Sequence, residues 1–162
     1  MGFLDKVKSK VMPSPEDMLN EANKAINKDP TDPDAWNKKG RALNKQGKYD
    51  EAIAAYDDAI KYYEEAAPLN KYNTHLWLMK GVSIQEQGDI IKMQGDLLTA
   101  QSKYEEAIKC YDEVIRLNPK DDTPWSFKSK AYKSLGWKSA ADDANAMADK
   151  LARLRLGISP KD

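Results

Sequence analysis

One cysteine, Cys110, and one histidine, His75, stand in 162 residues. A lone cysteine forms no internal disulfide, so nothing here points to an oxidising compartment. A histidine–cysteine zinc site would be short of ligands. A Ser/His/Asp triad would have to recruit His75, which the sequence puts in a helix-entry turn just before Trp77. No glycine-rich phosphate loop occurs, and no stretch nears the roughly 20 apolar residues of a membrane span. Residues 1–12 lack the long apolar core and small-residue cleavage site of a secretory signal. Gly2 follows Met1, but Lys6 stands where a myristoylation pattern wants Ser or Thr. Net charge is absent too: Lys+Arg and Asp+Glu are each 26, and no nucleic-acid module is recognisable. These absences argue against catalysis, a cofactor, a metal, a nucleic-acid partner and stable membrane insertion. The expectation is a cytoplasmic protein.

What is present is a charge-rich helical composition, 32% charged and 41% hydrophobic, dominated by Ala, Lys, Glu, Asp, Leu and Ile. The chain also repeats itself. Asp34-Ala-Trp-Asn-Lys-Lys-Gly40, His75-Leu-Trp-Leu-Met-Lys-Gly81 and Thr123-Pro-Trp-Ser-Phe-Lys-Ser129 align, each followed at one distance by Gly47, Gly88 or Gly136. Downstream, the segment Lys48 to Ile60 matches Lys103 to Ile115, and Lys138-Ser-Ala-Ala141 is a degenerate third copy. Self-similarity of this kind signals a stacked array rather than a single globule.

These residues resemble the tetratricopeptide repeat, a 34-residue helix–turn–helix unit. Repeat one carries Trp36, Gly40, Gly47, Tyr49, Ala52, Tyr56 and Ala59 at the signature spacings; repeat two carries Trp77, Gly81, Tyr104, Ala107, Tyr111, Val114 and Asn118-Pro119. Repeat three keeps Trp125, Tyr132, Ala141 and Ala148 but has Ser129 in place of the glycine. The resemblance implies an all-α, right-handed α-solenoid of antiparallel helix pairs, of about eight helices. The residues support this independently. Trp36, Gly40 and Leu43 share one helical stripe, as do Ala52, Tyr56 and Ala59 on the next helix. Small Gly40 and Ala52 let the backbones approach, and Gly47 supplies a left-handed helix end. The expected organisation is an N-terminal segment 1–14, faintly amphipathic and basic, then a capping helix in 15–32. Repeat one spans 33–73, repeat two 74–121, repeat three with a closing helix 122–156, and a tail 157–162.

Trp36 to Trp77 is 41 residues and Trp77 to Trp125 is 48, exceeding 34 by 7 and 14. The first excess reads as a lengthened second helix in repeat one, broken by Pro68. The second lies between the helices of repeat two. Its seam (Trp77, Gly81, Ile84, Gly88, Ile91, Gly95, returning through Leu97, Ala100, Tyr104, Ala107) keeps heptad phase, as seven residues added to each arm would. The expectation is a hairpin projecting about two turns, roughly 10 Å, past its neighbours, with Gly95-Asp96 at the tip. Ile90, Met93 and Leu98 fall off that seam, and two readings stand: they thicken the hairpin or touch the chain's own extended helices, or they form a candidate docking surface.

In the resembling family the first helix of each repeat lines a concave groove that holds a partner's segment. Carried over, those positions are Asn37, Arg41, Asn44 and Lys45; Leu78, Val82, Gln85 and Glu86; and Ser126, Lys130 and Lys133. The expected floor is apolar in the middle and basic at both ends, suiting a peptide with an apolar anchor flanked by carboxylates. The family's two-carboxylate clamp for chaperone tails would fall on Asn37, Arg41, Met79, Ser126 and Lys130. Of these only Lys130 is chemically compatible, which argues against chaperone tails. The reading is a non-catalytic scaffold for a protein or peptide partner. The alternative is a structural unit forming homo-oligomers through the projecting hairpin.

Overall fold

The computed structural model describes residues 13–68 and 72–158. These form α1 (Pro15–Lys28), α2 (Pro33–Lys45), α3 (Tyr49–Ala66), α4 (Thr74–Met93), α5 (Leu97–Leu117), α6 (Thr123–Leu135) and α7 (Lys138–Arg155). Among the described residues there are seven helices and no strand. About eight were expected over the whole chain, and the basic stretch before Pro13 lies outside the described residues.

Local chemistry sets the helix starts. Ser14 and Asp17 form a reciprocal capping box ahead of Pro15, and the Asp32 and Asp96 carboxylates accept from Asp34 N and Thr99 N. Gly47, Gly95 and Gly136 take φ of 73°, 94° and 77°, each ending the first helix of a pair. That cap falls at Gly95 in repeat two, not at Gly88, which the spacing had aligned with it.

Helices α2/α3, α4/α5 and α6/α7 pair, and α1 covers α2. Within the first two pairs a glycine sits under an aromatic ring. A Cβ built at Gly40 would lie 2.7 Å from Tyr56 Cε1, and one at Gly81 would lie 2.6 Å from Tyr111 Cε1. Repeat three keeps the joint without glycine: Ser129 is buried and its hydroxyl donates to the Ala141 carbonyl at 2.9 Å. Helix α4 touches both α2 and α6, whereas α3, α5 and α7 do not touch one another, so the first helices form the inner ribbon of the solenoid.

The elongated hairpin is present. Helix α4 has 20 residues where α2 and α6 have 13, and α5 has 21. Its relation to repeat one differs from the expected free projection. Gln94 Nε2 donates to Asp50 at 3.0 Å, Gln87 Nε2 to Asp57 at 2.7 Å, and Lys80 Nζ lies 2.9 Å from Glu64. Each contact is seven residues from the last on both helices. The lengthened α3 therefore accommodates the lengthened α4 in one antiparallel heptad register, flush at the tip. The overhang is confined to the other side. There α6 stops near Tyr104, Lys92 Nζ donates to the Ser134 carbonyl at 2.8 Å, and the first turn of α5 stands bare.

Candidate interaction surfaces

The inner ribbon gathers most of the expected groove residues but does not present them equally. Arg41, Lys45, Lys130 and Lys133 are exposed on α2 and α6. Asn44, Leu78 and Ser126 are half-buried beside them. Asn37, Val82 and Gln85 are buried, which corrects their reading as open floor. The cause is direct packing of the inner helices. Asn37 donates its amide to Ser83 Oγ across the α2/α4 joint, Gln85 accepts from Tyr111 OH at 2.9 Å, and Val82 packs with Ile84, Ala107 and Tyr111. An amide engaged in such a joint leaves a buried partner unsatisfied if it turns to a ligand.

Glu86 and Asp89 change the electrostatics expected of this floor. Tyr56 OH donates to Glu86 at 2.7 Å while Arg41 Nε lies 3.3 Å from its other oxygen, and Tyr104 OH donates to Asp89 at 2.8 Å. Burial pushes both carboxyls above their ordinary range, against the lowering by Tyr56 and Arg41 on Glu86 and by Tyr104 and Lys92 on Asp89. The middle of the floor is thus half-buried acid between flanking cations, not simply apolar. Asp89 was not singled out from the sequence. Its position three residues beyond Glu86 on the same face was the available signal.

Residues that carry chemistry elsewhere are engaged in packing. His75 Nε2 lies 3.1 Å from Asp34, which also accepts from Tyr63 OH, tying the start of α4 to repeat one. Cys110 is buried against α4, and burial pushes its thiol up to about 11, far from a reactive thiolate at neutral pH. Among the described residues no group of three or more His, Cys, Asp or Glu is placed to hold a metal. None of the described helices is long and apolar enough to cross a membrane.

Two family models match the chain, one described as tetratricopeptide repeat over residues 21–54 and one as TPR repeat over residues 95–136. Both matched segments are tetratricopeptide repeats. Among solved structures, MamA AMB-1 is 16% identical over 88% of this chain and 68% of that one, with a TM-score of 0.50. MamA MSR-1 is 17% identical over 85% and 67%, with a TM-score of 0.49. At such identity the first likeness is one of fold alone. No curated protein sequence matches.

These repeats suggest a protein-interaction scaffold, and the hairpin departs from the 34-residue unit. Of the three residues expected to form a docking surface there, Ile90 is a correction. It is fully buried with Leu43, Ala52, Ala55 and Tyr56, because the flush register lays α4 against repeat one. Met93 and Leu98 are exposed. Leu97, expected to point into the seam, is exposed with them, since no helix continues past α6 to cover it.

Proposed function

We propose that this protein is a non-catalytic cytoplasmic adaptor that holds a peptide segment of a partner along α2, α4 and α6. The segment has acidic residues flanking an apolar anchor. Arg41 and Lys45 grip one acidic end, Lys130 and Lys133 the other, and Asn44, Leu78 and Ser126 line the path between. The observation that carries this reading is that four cations on two separate inner helices are exposed while the polar groups around them are engaged internally. Lys130 Nζ sits 5.0 Å from the Phe127 ring centre, which holds it over the inner face. Arg41 has a second task in the pair with Glu86, so a peptide carboxylate would compete with, or share, that pair.

The test is a panel of fluorescent peptides with acidic residues around an aliphatic anchor, titrated against the protein at low and high salt. Affinity should fall with salt and at least tenfold in the quadruple alanine variant of Arg41, Lys45, Lys130 and Lys133, on the order of 1.4 kcal/mol. Binding that ignores both salt and the substitutions would sink the groove reading.

A further inference from the structure

The zero net charge of the chain conceals two faces of opposite sign. Helix α3 carries its carboxylates in three neighbouring pairs, Asp50-Glu51, Asp57-Asp58 and Glu64-Glu65, against the single base Lys61. The pairs recur at heptad spacing, so one member of each lies toward α4 and the other on the outer side. Asp50, Asp57 and Glu64 hold Gln94, Gln87 and Lys80 of α4. Glu51, Asp58 and Glu65 form the outer row with Lys61 between the last two, all exposed except the half-buried Asp58. The inner helices reverse the balance. Lys38, Lys39, Arg41 and Lys45 stand against Asp34 on α2, and α6 has Lys128, Lys130 and Lys133 with no acid.

The outer row of α3 differs from its counterpart in the next repeat. On α5 the matching residues are Glu113 and Arg116, which bond to each other at 2.9 and 2.6 Å and so neutralise that face. On α3 no such bond joins Asp58 to Lys61, whose Nζ lies 5.3 Å from the Tyr62 ring instead. Among the described residues Asp58, Lys61 and Glu65 enter no ion pair. They read acid, base, acid along one face. The ribbon reads the reverse across its helices: Arg41 and Lys45 on α2, Glu86 and Asp89 on α4, Lys130 and Lys133 on α6. Contacts put these groups at one level. Arg41 Nε meets Glu86 at 3.3 Å, and Lys92, just beyond Asp89, meets Ser134, just beyond Lys130. Asp58 and Glu65 are about 10 Å apart along α3, and the axes of α2 and α6 are about 16–20 Å apart across α4. The long cationic side chains reach inward over that difference.

From this we infer that the inner ribbon receives α3 of a second copy of the chain, so that molecules join with the outer face of one across the inner face of the next. The inference rests on the ribbon being a binding surface, as proposed above, and names its occupant. The two acids of the outer row would meet the cations of α2 and α6. Lys61 between them would meet Glu86 and Asp89, half-buried acids that a purely acidic or apolar segment leaves without compensation. Because the contact joins two different patches it is heterologous, and each added copy leaves a free ribbon at one end and a free α3 at the other. A contact made mainly of exposed charges is weak and sensitive to salt. An acidic segment of another protein would displace it from the same ribbon.

The experiment is sedimentation velocity of the full chain from micromolar to near-millimolar concentration, at low and at high salt. The mean sedimentation coefficient should rise with concentration at low salt and return to the monomer value at high salt. D58N/E65Q and K130Q/K133Q should each weaken association about tenfold or more, with the circular dichroism and melting temperature of wild type. Mixed in equal amounts, the two variants should form a dimer and nothing longer, because each keeps one intact half of the contact. A protein that stays monomeric at the highest concentration and low salt overturns the inference. Acidic peptides bound by that monomer would leave the ribbon standing as a peptide groove, so the two readings fail separately. Association that ignores salt and both variants but is lost in L97D/L98D overturns it in favour of the hairpin tip. Association lost in D58N/E65Q and untouched in K130Q/K133Q also overturns it, since α3 would then meet something other than the ribbon.

Discussion

Gly88 lies against the ring of Tyr104 as Gly81 lies against that of Tyr111, one heptad further along both helices. A Cβ built at Gly88 would meet Tyr104 Cε1 at 3.2 Å, against 2.6 Å for the Gly81 joint. The inserted residues therefore duplicate the repeat's own packing device. A helix pair lengthened by a heptad stays continuous because the same small-under-aromatic contact recurs in phase.

The two joints should respond differently to alanine. G81A forces a methyl into the Tyr111 ring and Cys110 Cβ and should cost about 1–3 kcal/mol by overpacking. At Gly88 the ring is farther away, and alanine gains about 1 kcal/mol of helix propensity that offsets the crowding. G88A should leave the urea midpoint within a few tenths of molar of wild type, while G81A should lower it clearly. Equal loss at both positions would show that the second joint is as tight as the first.

Ile90 and Leu98 separate core from surface on the hairpin. I90A removes a fully buried side chain from the cluster with Leu43 and Tyr56 and should cost about 2–5 kcal/mol. L98A alters a side chain in solvent and should stay within about 0.5 kcal/mol. Thermal unfolding of the two variants checks this. Deleting residues 85–91 with 98–104 keeps heptad phase but should also destabilise the protein, since it removes Ile90 and slides α4 along the Asp50, Asp57 and Glu64 ladder. An undiminished melting temperature in that deletion would mean the ladder contributes nothing.

What was legible from sequence was whatever recurs along the chain. Trp36, Gly40, Tyr56 and their counterparts announce the paired helices, and the two spacing excesses announce the longer α3, α4 and α5. Residues that act across repeats were harder to read. Ile90 looked free because its cover comes from Leu43, Ala52 and Tyr56, some 35 to 50 residues earlier, through a register that one helix's pattern does not contain. Asn37 looked like groove lining because its partner Ser83 belongs to the next inner helix. Leu97 fitted the seam by phase, yet phase does not tell where the neighbouring helix α6 stops.

Half-buried carboxylates on the inner helices α2 and α4 give opposite pH signatures. Glu86 and Asp89 have carboxyl pKa values raised above the ordinary 4.5 and 3.8, chiefly by burial. Between those ordinary values and the raised ones the folded state holds more protons than the unfolded state, so stability increases as pH falls through that window. Asp34 is the reverse case. Partial burial opposes the shift, but hydrogen bonds from Tyr63 and His75 prevail and hold its carboxyl below 3.8. Its contribution is present above the ordinary value and disappears as pH falls through the lowered one. The comparison is therefore one of differences in melting temperature from wild type between pH 7 and pH 3. Against E86Q/D89N, wild type should gain on acidification from neutral pH toward 4.5. Against D34N, wild type should be more stable at neutral pH by about 1–3 kcal/mol, the range for a buried hydrogen-bond partner removed, and should lose that margin below pH 4. Parallel curves for all three proteins would mean that neither carboxylate set differs in protonation between folded and unfolded chains, and that the Tyr56, Tyr63 and Tyr104 hydroxyl bonds are too loose to matter.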